Sequence, residues 1–157
     1  MRILSAMAAA LLLTGTAAAQ LPVVTAPDQQ QLLASGDPRL AANKKLVYDF
    51  WREVMQAHDL DRAAAYLADS FMQHDPNVPT GRAAFVRSLG QGPKQPLKPT
   101  IDDLVSIVAE RDLVVLGFRR ELPDLAEEGQ TYTTTWFEML RVENGKIAEH
   151  WNYGTKE

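Results

Sequence analysis

The spacing of apolar residues changes midway along the chain, from a helical period to the alternation typical of strands. After Asp37-Pro38, a good N-cap and first-turn pair, apolar residues follow helical spacing, so a first helix is expected to end near Ala57. Two further helices are predicted over residues 60–67 and 82–89, with a short strand between them over residues 71–75. The first half of the domain is therefore expected to be mainly helical.

The second half alternates in the manner of β-strands. Residues 101–109 and 113–121 are predicted strands, and the second contains a run that is apolar on both faces, which is typical of a central strand. Residues 131–153 are predicted to form a long hairpin around Asn144-Gly145. This order predicts an α+β domain with three N-terminal helices packed on one face of a curved antiparallel sheet.

The turn of this hairpin leaves two registers open. A two-residue turn places Met139 opposite His150, whereas a three-residue loop with a glycine bulge places Glu138 opposite His150 and Trp136 opposite Asn152. The second register builds a polar cluster on one face of the hairpin. It is the register that we expect.

The first residues have the features of an export signal. Arg2 is followed by the apolar run 3–13 and by Ala17-Ala18-Ala19, which satisfies the small-x-small rule of signal peptidase. A signal peptide is therefore predicted over residues 1–19, with cleavage between Ala19 and Gln20 and a periplasmic or secreted product. A permanent anchor is the weaker alternative, because the run is short for a bilayer.

Composition adds limits to this picture. Residues 20–37 are rich in Pro, Gln, Ala and Ser and are predicted to be a flexible tether, followed by one domain over residues 38–157. The chain has no cysteine, so disulfides and thiolate chemistry are excluded. Its formal net charge of −4 does not suggest a nucleic-acid-binding surface. No membrane contact is expected after processing.

Two histidines and one carboxylate carry the candidate chemistry. His150 lies inside a predicted strand and is a workable general base if Glu138 orients it, although it could also be a core histidine. His74 could donate to a substrate carbonyl or could simply satisfy the backbone of the turn that follows it. The three histidines of the chain lack the spacing of a metal site.

Three aromatic side chains are candidates for the wall of a pocket. They are Tyr48, Trp51 and Trp136. Aromatic residues at helical or strand spacing usually fill core volume, so this role is weighed against simple packing.

Several stretches resemble one known family, and the resemblance covers essentially everything after Pro38. They are Asn43-Lys44-Lys45 with Phe50-Trp51, Gln73-His74-Asp75-Pro76-Asn77-Val78-Pro79-Thr80-Gly81-Arg82, and Arg141-Val142-Glu143-Asn144-Gly145-Lys146-Ile147-Ala148-Glu149-His150-Trp151. Together they resemble the SnoaL-like polyketide cyclases of the nuclear transport factor two-like superfamily, and in particular bacterial relatives described as aldol-condensation enzymes.

The resemblance implies a cone-shaped α+β barrel that encloses an apolar pocket for a hydrophobic small molecule. It also implies a homodimer and no metal or organic cofactor. In the characterised cyclases, the position that matches Asn152 carries a carboxylate that acts as acid and base in an intramolecular aldol closure. This chain has an amide there, which cannot accept the proton.

Two functions follow from this resemblance. The first is cofactor-free aldol condensation, cyclisation or isomerisation by proton abstraction next to a carbonyl. His150 would be the base, Glu138 would orient it, and His74 and Asn152 would donate hydrogen bonds to the developing enolate oxygen. The alternative is a non-catalytic ligand-binding or dimerisation module that has lost the acid/base carboxylate.

Overall fold

The computed structural model describes residues 20–156. The predicted signal peptide over residues 1–19, which includes Ala19 at the predicted cleavage site, lies outside the described residues. Within residues 20–156, no helix is both long enough and apolar enough to span a bilayer.

The helices come first along the chain, as predicted. They are α1 (Gln29–Leu32), α2 (Pro38–Phe50) continued by a π-helix (Trp51–Gln56), a 3-10 turn (Leu60–Arg62), α3 (Ala63–Tyr66) and α4 (Arg82–Ser88). The Asp37 carboxylate accepts the backbone N–H of Arg39 at 2.8 Å, and Pro38 is the first helical residue. The first and third predicted helices are thus confirmed. The second is shorter than predicted, because the chain becomes a strand at Leu67.

Five strands form one curved sheet that does not close, so the predicted α+β class is confirmed. The strands are β1 (Leu67–Gln73), β2 (Leu104–Glu110), β3 (Leu113–Pro123), β4 (Thr131–Glu143) and β5 (Lys146–Asn152). Their order across the sheet is β1-β5-β4-β3-β2. Strand β1 runs parallel to β5, and the other neighbours are antiparallel.

The turn of the β4–β5 hairpin contains two residues. Asn144 and Gly145 have φ angles of 50° and 70°, and Glu143 pairs directly with Lys146. This is the conformation for which an Asn-Gly pair is suited, because both central residues need a positive φ. The expected three-residue loop is therefore wrong.

Because of a bulge in β5, neither Met139 nor Glu138 lies opposite His150, as the two predicted registers would require. Ala148 is one extra residue on β5, so that Leu140 lies opposite His150 and Glu138 lies opposite Asn152. The expected direct pairing of Glu138 with His150 is wrong. The two residues nevertheless point to the same face of the sheet.

The hydrophobic core fills the space between the helices and one face of the sheet, which we call the inner face. Its most deeply buried sheet residues include Leu116 on β3, Leu140 on β4 and Ile147 on β5, each with no exposed surface. The ring of Trp51, from the π-helix, lies 4.9 Å from the ring of Phe118 on the same face. The opposite side of the sheet is the outer face.

Residues 20–37 pack against the rest of the domain. The backbone N–H of Val23 donates to Thr133 Oγ1 at 2.7 Å. The side chain of Gln29 is buried, and its amide donates to the Ile101 carbonyl at 2.7 Å and accepts the Ile101 N–H at 2.9 Å. The structure therefore does not support a flexible tether over these residues. The polar composition of this segment gave no sign that the Gln29 side chain would pair with the Ile101 backbone as a neighbouring strand does.

Candidate functional site

Three rows of paired residues cross the inner face where β5 ends. The deepest contains Val114, Leu140, His150 and Gln73, the next contains Leu116, Glu138 and Asn152, and the outermost contains Phe118 and Trp136. Glu138 and His150 sit in adjacent rows, so their side chains meet diagonally. We call Gln73, Asp75, Glu138, His150 and Asn152 the polar cluster.

The centre of the polar cluster is a contact between Glu138 and His150. The distance from Glu138 Oε2 to His150 Nε2 is 2.5 Å, and both residues are only 5% exposed. Within residues 20–156, Glu138 forms no ion pair with a lysine or an arginine. A buried carboxylate without a cationic side chain is costly, so His150 is its main support on this apolar face.

Gln73 determines where the proton of His150 sits. The Gln73 Oε1 atom accepts the backbone N–H groups of His74 at 2.9 Å and Asp75 at 3.2 Å, which fixes the orientation of the amide. Its Nε2 atom therefore faces His150 Nδ1, 3.0 Å away, as a donor. His150 Nδ1 must accept, so the ring proton lies on Nε2 and is donated to Glu138.

This tautomer reverses the expected roles of the pair. The one lone pair that a neutral His150 offers is occupied by Gln73, so His150 cannot accept a substrate proton in this arrangement. Glu138 receives a hydrogen bond from His150 and keeps further lone pairs for a proton. In this geometry Glu138 is the member of the pair with lone pairs left free, and His150 holds its carboxylate in place.

Asn152 also differs from its expected role as a donor. Its Nδ2 atom donates to Asp75 Oδ2 at 3.0 Å, so its donor faces a carboxylate of the protein. Its Oδ1 atom is buried and accepts no hydrogen bond from any of residues 20–156. The Asn152 side chain thus has an unpaired acceptor, while one of its two N–H groups is held by Asp75.

His74 lies outside the polar cluster. Its ring stacks on Trp151 with centroids 4.9 Å apart, and its Nε2 atom lies 2.7 Å from Glu149 Oε1, both on the outer face of β5. The sheet separates it from His150, so the structure does not bring His74 and Asn152 together as donors. A hydrogen bond from Arg141 lowers the pKa of Glu149, against a smaller opposing effect of burial, and the bond to His74 lowers the pKa further.

Tyr48 faces the N-terminal segment. Its hydroxyl donates to Gln29 Oε1 at 3.0 Å, and the side chain is almost fully buried. Burial is the main cause of the raised pKa of this phenol. Its polar atom therefore holds Gln29 in place and does not reach Glu138.

The two predicted pocket tryptophans have different surroundings. Trp51 is half-buried and packs on Phe118, which is a core contact. Trp136 is 39% exposed and lies on the inner face one row outside Glu138, with the Arg120 guanidinium 5.3 Å above its ring. Trp136 therefore stands at the open end of the inner face.

Three surface clefts of about 390, 320 and 420 Å³ lie away from the polar cluster. The first lies between Glu53, Arg62 and Lys94, and the other two adjoin residues 20–25 and Arg119. Glu138 and His150 line none of these three clefts. Trp136, one row outside Glu138, is partly exposed on the inner face.

Sequence reasoning missed two members of the polar cluster, Gln73 and Asp75. One signal was available for Gln73: it shares a strand face with Phe71, and a polar residue that continues an apolar face is unusual. The role of Asp75 depends on where the end of β1 meets the end of β5. That meeting point could not be read from either segment alone.

Within residues 20–156, no group of three or more His, Asp and Glu side chains is placed to hold a metal ion. The comparison with curated protein sequences found no match. The profile of one domain family, described as a SnoaL-like domain, matches residues 47–150, which include every member of the polar cluster except Asn152.

Solved structures similar to this one share its fold at low sequence identity. A candidate polyketide cyclase from Acidithiobacillus ferrooxidans is 16% identical, with a TM-score of 0.50, and 71% of this chain and 87% of that chain are covered. A protein of unknown function with a cystatin-like fold from Xanthomonas campestris is 18% identical, with a TM-score of 0.50 and coverage of 73% and 91%. An epoxide hydrolase from M. tuberculosis, described as LEH-like, is 14% identical, with a TM-score of 0.47 and coverage of 73% and 79%.

Proposed function

Because the chain belongs to the SnoaL-like domain family, we propose that it binds a hydrophobic small molecule on the inner face of its sheet and that Glu138 accepts a proton from it. One observation carries this proposal. Glu138 is a carboxylate buried among Leu116, Leu140 and Trp136 and supported by a neutral imidazole. Such a group is costly for stability, and strongly desolvated carboxylates are a feature of sites that move protons.

The reaction that suits this arrangement is proton abstraction next to a carbonyl. Glu138 would take the proton from the carbon, and the C–H electron pair would become the C=C bond of an enolate while charge moves to the carbonyl oxygen. Attack of the enolate carbon on a second carbonyl is aldol closure, and return of the proton at another carbon is isomerisation. The polyketide cyclase among the similar structures is consistent with this chemistry, although fold alone does not imply it.

Deuterium exchange tests this proposal without knowledge of the natural product. In D2O, a protein that abstracts the proton next to the carbonyl of 2-tetralone exchanges it for deuterium, which NMR detects. We expect Glu138→Gln to lower this exchange by about 10²- to 10⁴-fold, the usual contribution of a general base. Glu143→Gln makes the same change at an exposed residue of the same strand, and this variant should exchange the proton at the wild-type rate. Equal rates for wild type and Glu138→Gln would refute the role of Glu138.

A second candidate function is non-catalytic binding, and a specific observation favours it. Of the donors expected to stabilise an enolate oxygen, His74 lies beside Glu149 on the outer face, and one of the two N–H groups of Asn152 is held by Asp75. If 2-tetralone binds to wild type with no exchange above that in buffer, the protein is a binder for this class of ligand.

We also propose that a second copy of the chain packs on the outer face. Val108 and Phe137 are more than half exposed there, and the Phe137 ring rests on Gly117, where a Cβ would lie 3.2 Å from the ring. Phe137→Asp should convert a homodimer into a monomer in light scattering, whereas Leu125→Asp, in an exposed loop, should not. A monomeric wild-type protein would contradict this proposal.

Export remains a proposal that rests on the composition of residues 1–19. Mass-spectrometric sequencing after expression in a Gram-negative host tests it. A mature chain that begins at Gln20 supports export, and one that retains Met1 contradicts it.

A further inference from the structure

The free hydrogen-bonding atom at the end of β5 points to the kind of ligand that the site takes. We propose that the ligand brings a hydrogen-bond donor, a hydroxyl or N–H group on an apolar frame, to Asn152 Oδ1. This inference rests on the proposed function, since it names the chemistry of the molecule that would bind beside Glu138. It predicts that the site prefers neutral donors to ethers and to carboxylates.

Asp75 holds the Asn152 amide in one orientation. Asp75 Oδ1 accepts the backbone N–H of Asn77 at 2.8 Å, which leaves Oδ2 to accept Asn152 Nδ2 at 3.0 Å. Gly154 passes so close that a Cβ there would lie 2.9 Å from Asp75 Oδ2, so the carboxylate has little room to turn. A rotated amide would place Asn152 Oδ1 against this carboxylate, which is unfavourable.

The two protein side chains that flank Asn152 are acceptors, and the nearest cation on this face, Arg120, lies over Trp136 in the next row. Asn152 lies between the carboxylates of Asp75, to which it is hydrogen-bonded, and Glu138, which is opposite it in the sheet. Asn152 Oδ1 is buried and accepts no hydrogen bond from residues 20–156. A ligand carboxylate would face like charges there, and an ether or a methyl group would leave the amide oxygen unpaired. A hydroxyl or N–H group would satisfy it.

Two aromatic rings lie where the apolar part of the ligand would bind. Trp136 and Phe118 form the row outside Glu138 on the same face, with ring centroids 6.0 Å apart. A flat apolar frame that stacks on Trp136 would therefore carry its polar substituent toward the row of Glu138 and Asn152. A molecule with a flat apolar frame and a hydrogen-bond donor is, for example, an aromatic alcohol or a phenol.

Three naphthalenes that differ in one substituent test this inference. They are 2-naphthol, which donates a hydrogen bond, 2-methoxynaphthalene, which does not, and 2-naphthoate, which is an anion. Dissociation constants are measured by NMR titration of the ¹⁵N-labelled wild-type protein, of Asn152→Leu and of Gln91→Leu, which replaces an exposed amide in the loop after α4 and serves as the control. We expect wild type and the control to bind 2-naphthol at least about tenfold more tightly than the other two probes, the effect of one satisfied hydrogen bond.

In Asn152→Leu this preference should fall below about threefold, because the acceptor is gone. Asp75→Asn is a second variant for the case in which Asn152→Leu does not fold. It frees the Asn152 amide to rotate, and it should weaken the same preference. Equal binding of naphthol and methoxynaphthalene by wild type would overturn the inference while leaving apolar binding intact. Tightest binding of naphthoate would overturn it too, and no binding of any probe would count against the proposed function as well.

Discussion

Gln73 shows how one side chain can decide the chemistry of its neighbours. It accepts two backbone N–H groups with its oxygen, so its nitrogen must donate to His150, whose own proton is then left for Glu138. The sequence indicated that Glu138 could orient His150, but not the direction of the proton between them. That direction depends on a residue of β1, whose pairing with β5 has no signature in the sequence.

Glu149 on the outer face gives a prediction about pH. The hydrogen bond from Arg141 is the largest cause of its lowered pKa, so the folded state holds the ionised carboxylate more tightly than the unfolded chain does. Its contribution to stability is present above the unfolded pKa of about 4.3 and is lost as pH falls through the lower folded value. Urea unfolding over acidic pH should therefore show a shallower loss of stability for Glu149→Gln than for wild type. Parallel curves would contradict this assignment.

At the scale of elements, local pattern predicted most of the fold and missed the register. The capping pair at Asp37 and Pro38, a helix close to the predicted residues 82–89 and the presence of a hairpin at Asn144-Gly145 are confirmed, because each depends on residues close in sequence. The bulge at Ala148 leaves no such mark. A bulge depends on how two strands pack against the core, and here it decides what lies opposite Glu138.

The hairpin turn can be tested with two matched glycines. Gly145 has a φ of 70° and Gly36 has no positive φ, and neither would bring a Cβ within 4 Å of another atom. Gly145→Ala should therefore lower the free energy of unfolding by about 1 kcal/mol through backbone conformation alone. Gly36→Ala should change it by less than about 0.5 kcal/mol. Equal effects in urea titrations would mean that the turn does not require a left-handed residue.

At the scale of the whole molecule, the N-terminal segment is part of the domain. Gln29 joins this segment to Ile101 and to Tyr48 of α2, so three parts of the chain meet at one buried amide. Composition predicted a tether because Pro, Gln and Ser are typical of one. The average composition of the segment does not reveal that one glutamine, Gln29, is buried, and its partners lie far along the chain.

This junction predicts a loss of stability when the amide is removed. Gln29→Ala leaves the backbone groups of Ile101 without their partner and removes the nearer of the two acceptors of the Tyr48 hydroxyl, which should cost about 2 to 3 kcal/mol. The neighbouring Gln30 is exposed, and Gln30→Ala should cost less than about 0.5 kcal/mol. Chemical denaturation measures both. A loss as small for Gln29→Ala as for Gln30→Ala would show that the segment is not held by this contact.

The central claim is that His150 holds Glu138 and does not act as the base, and the tautomer of His150 tests it most directly. Two-dimensional ¹H–¹⁵N NMR of the imidazole of the ¹⁵N-labelled protein near neutral pH distinguishes the two ring nitrogens. We predict a proton on Nε2, donated to Glu138, and an unprotonated Nδ1 that accepts from Gln73. A proton on Nδ1, alone or together with one on Nε2, would contradict this account of the site.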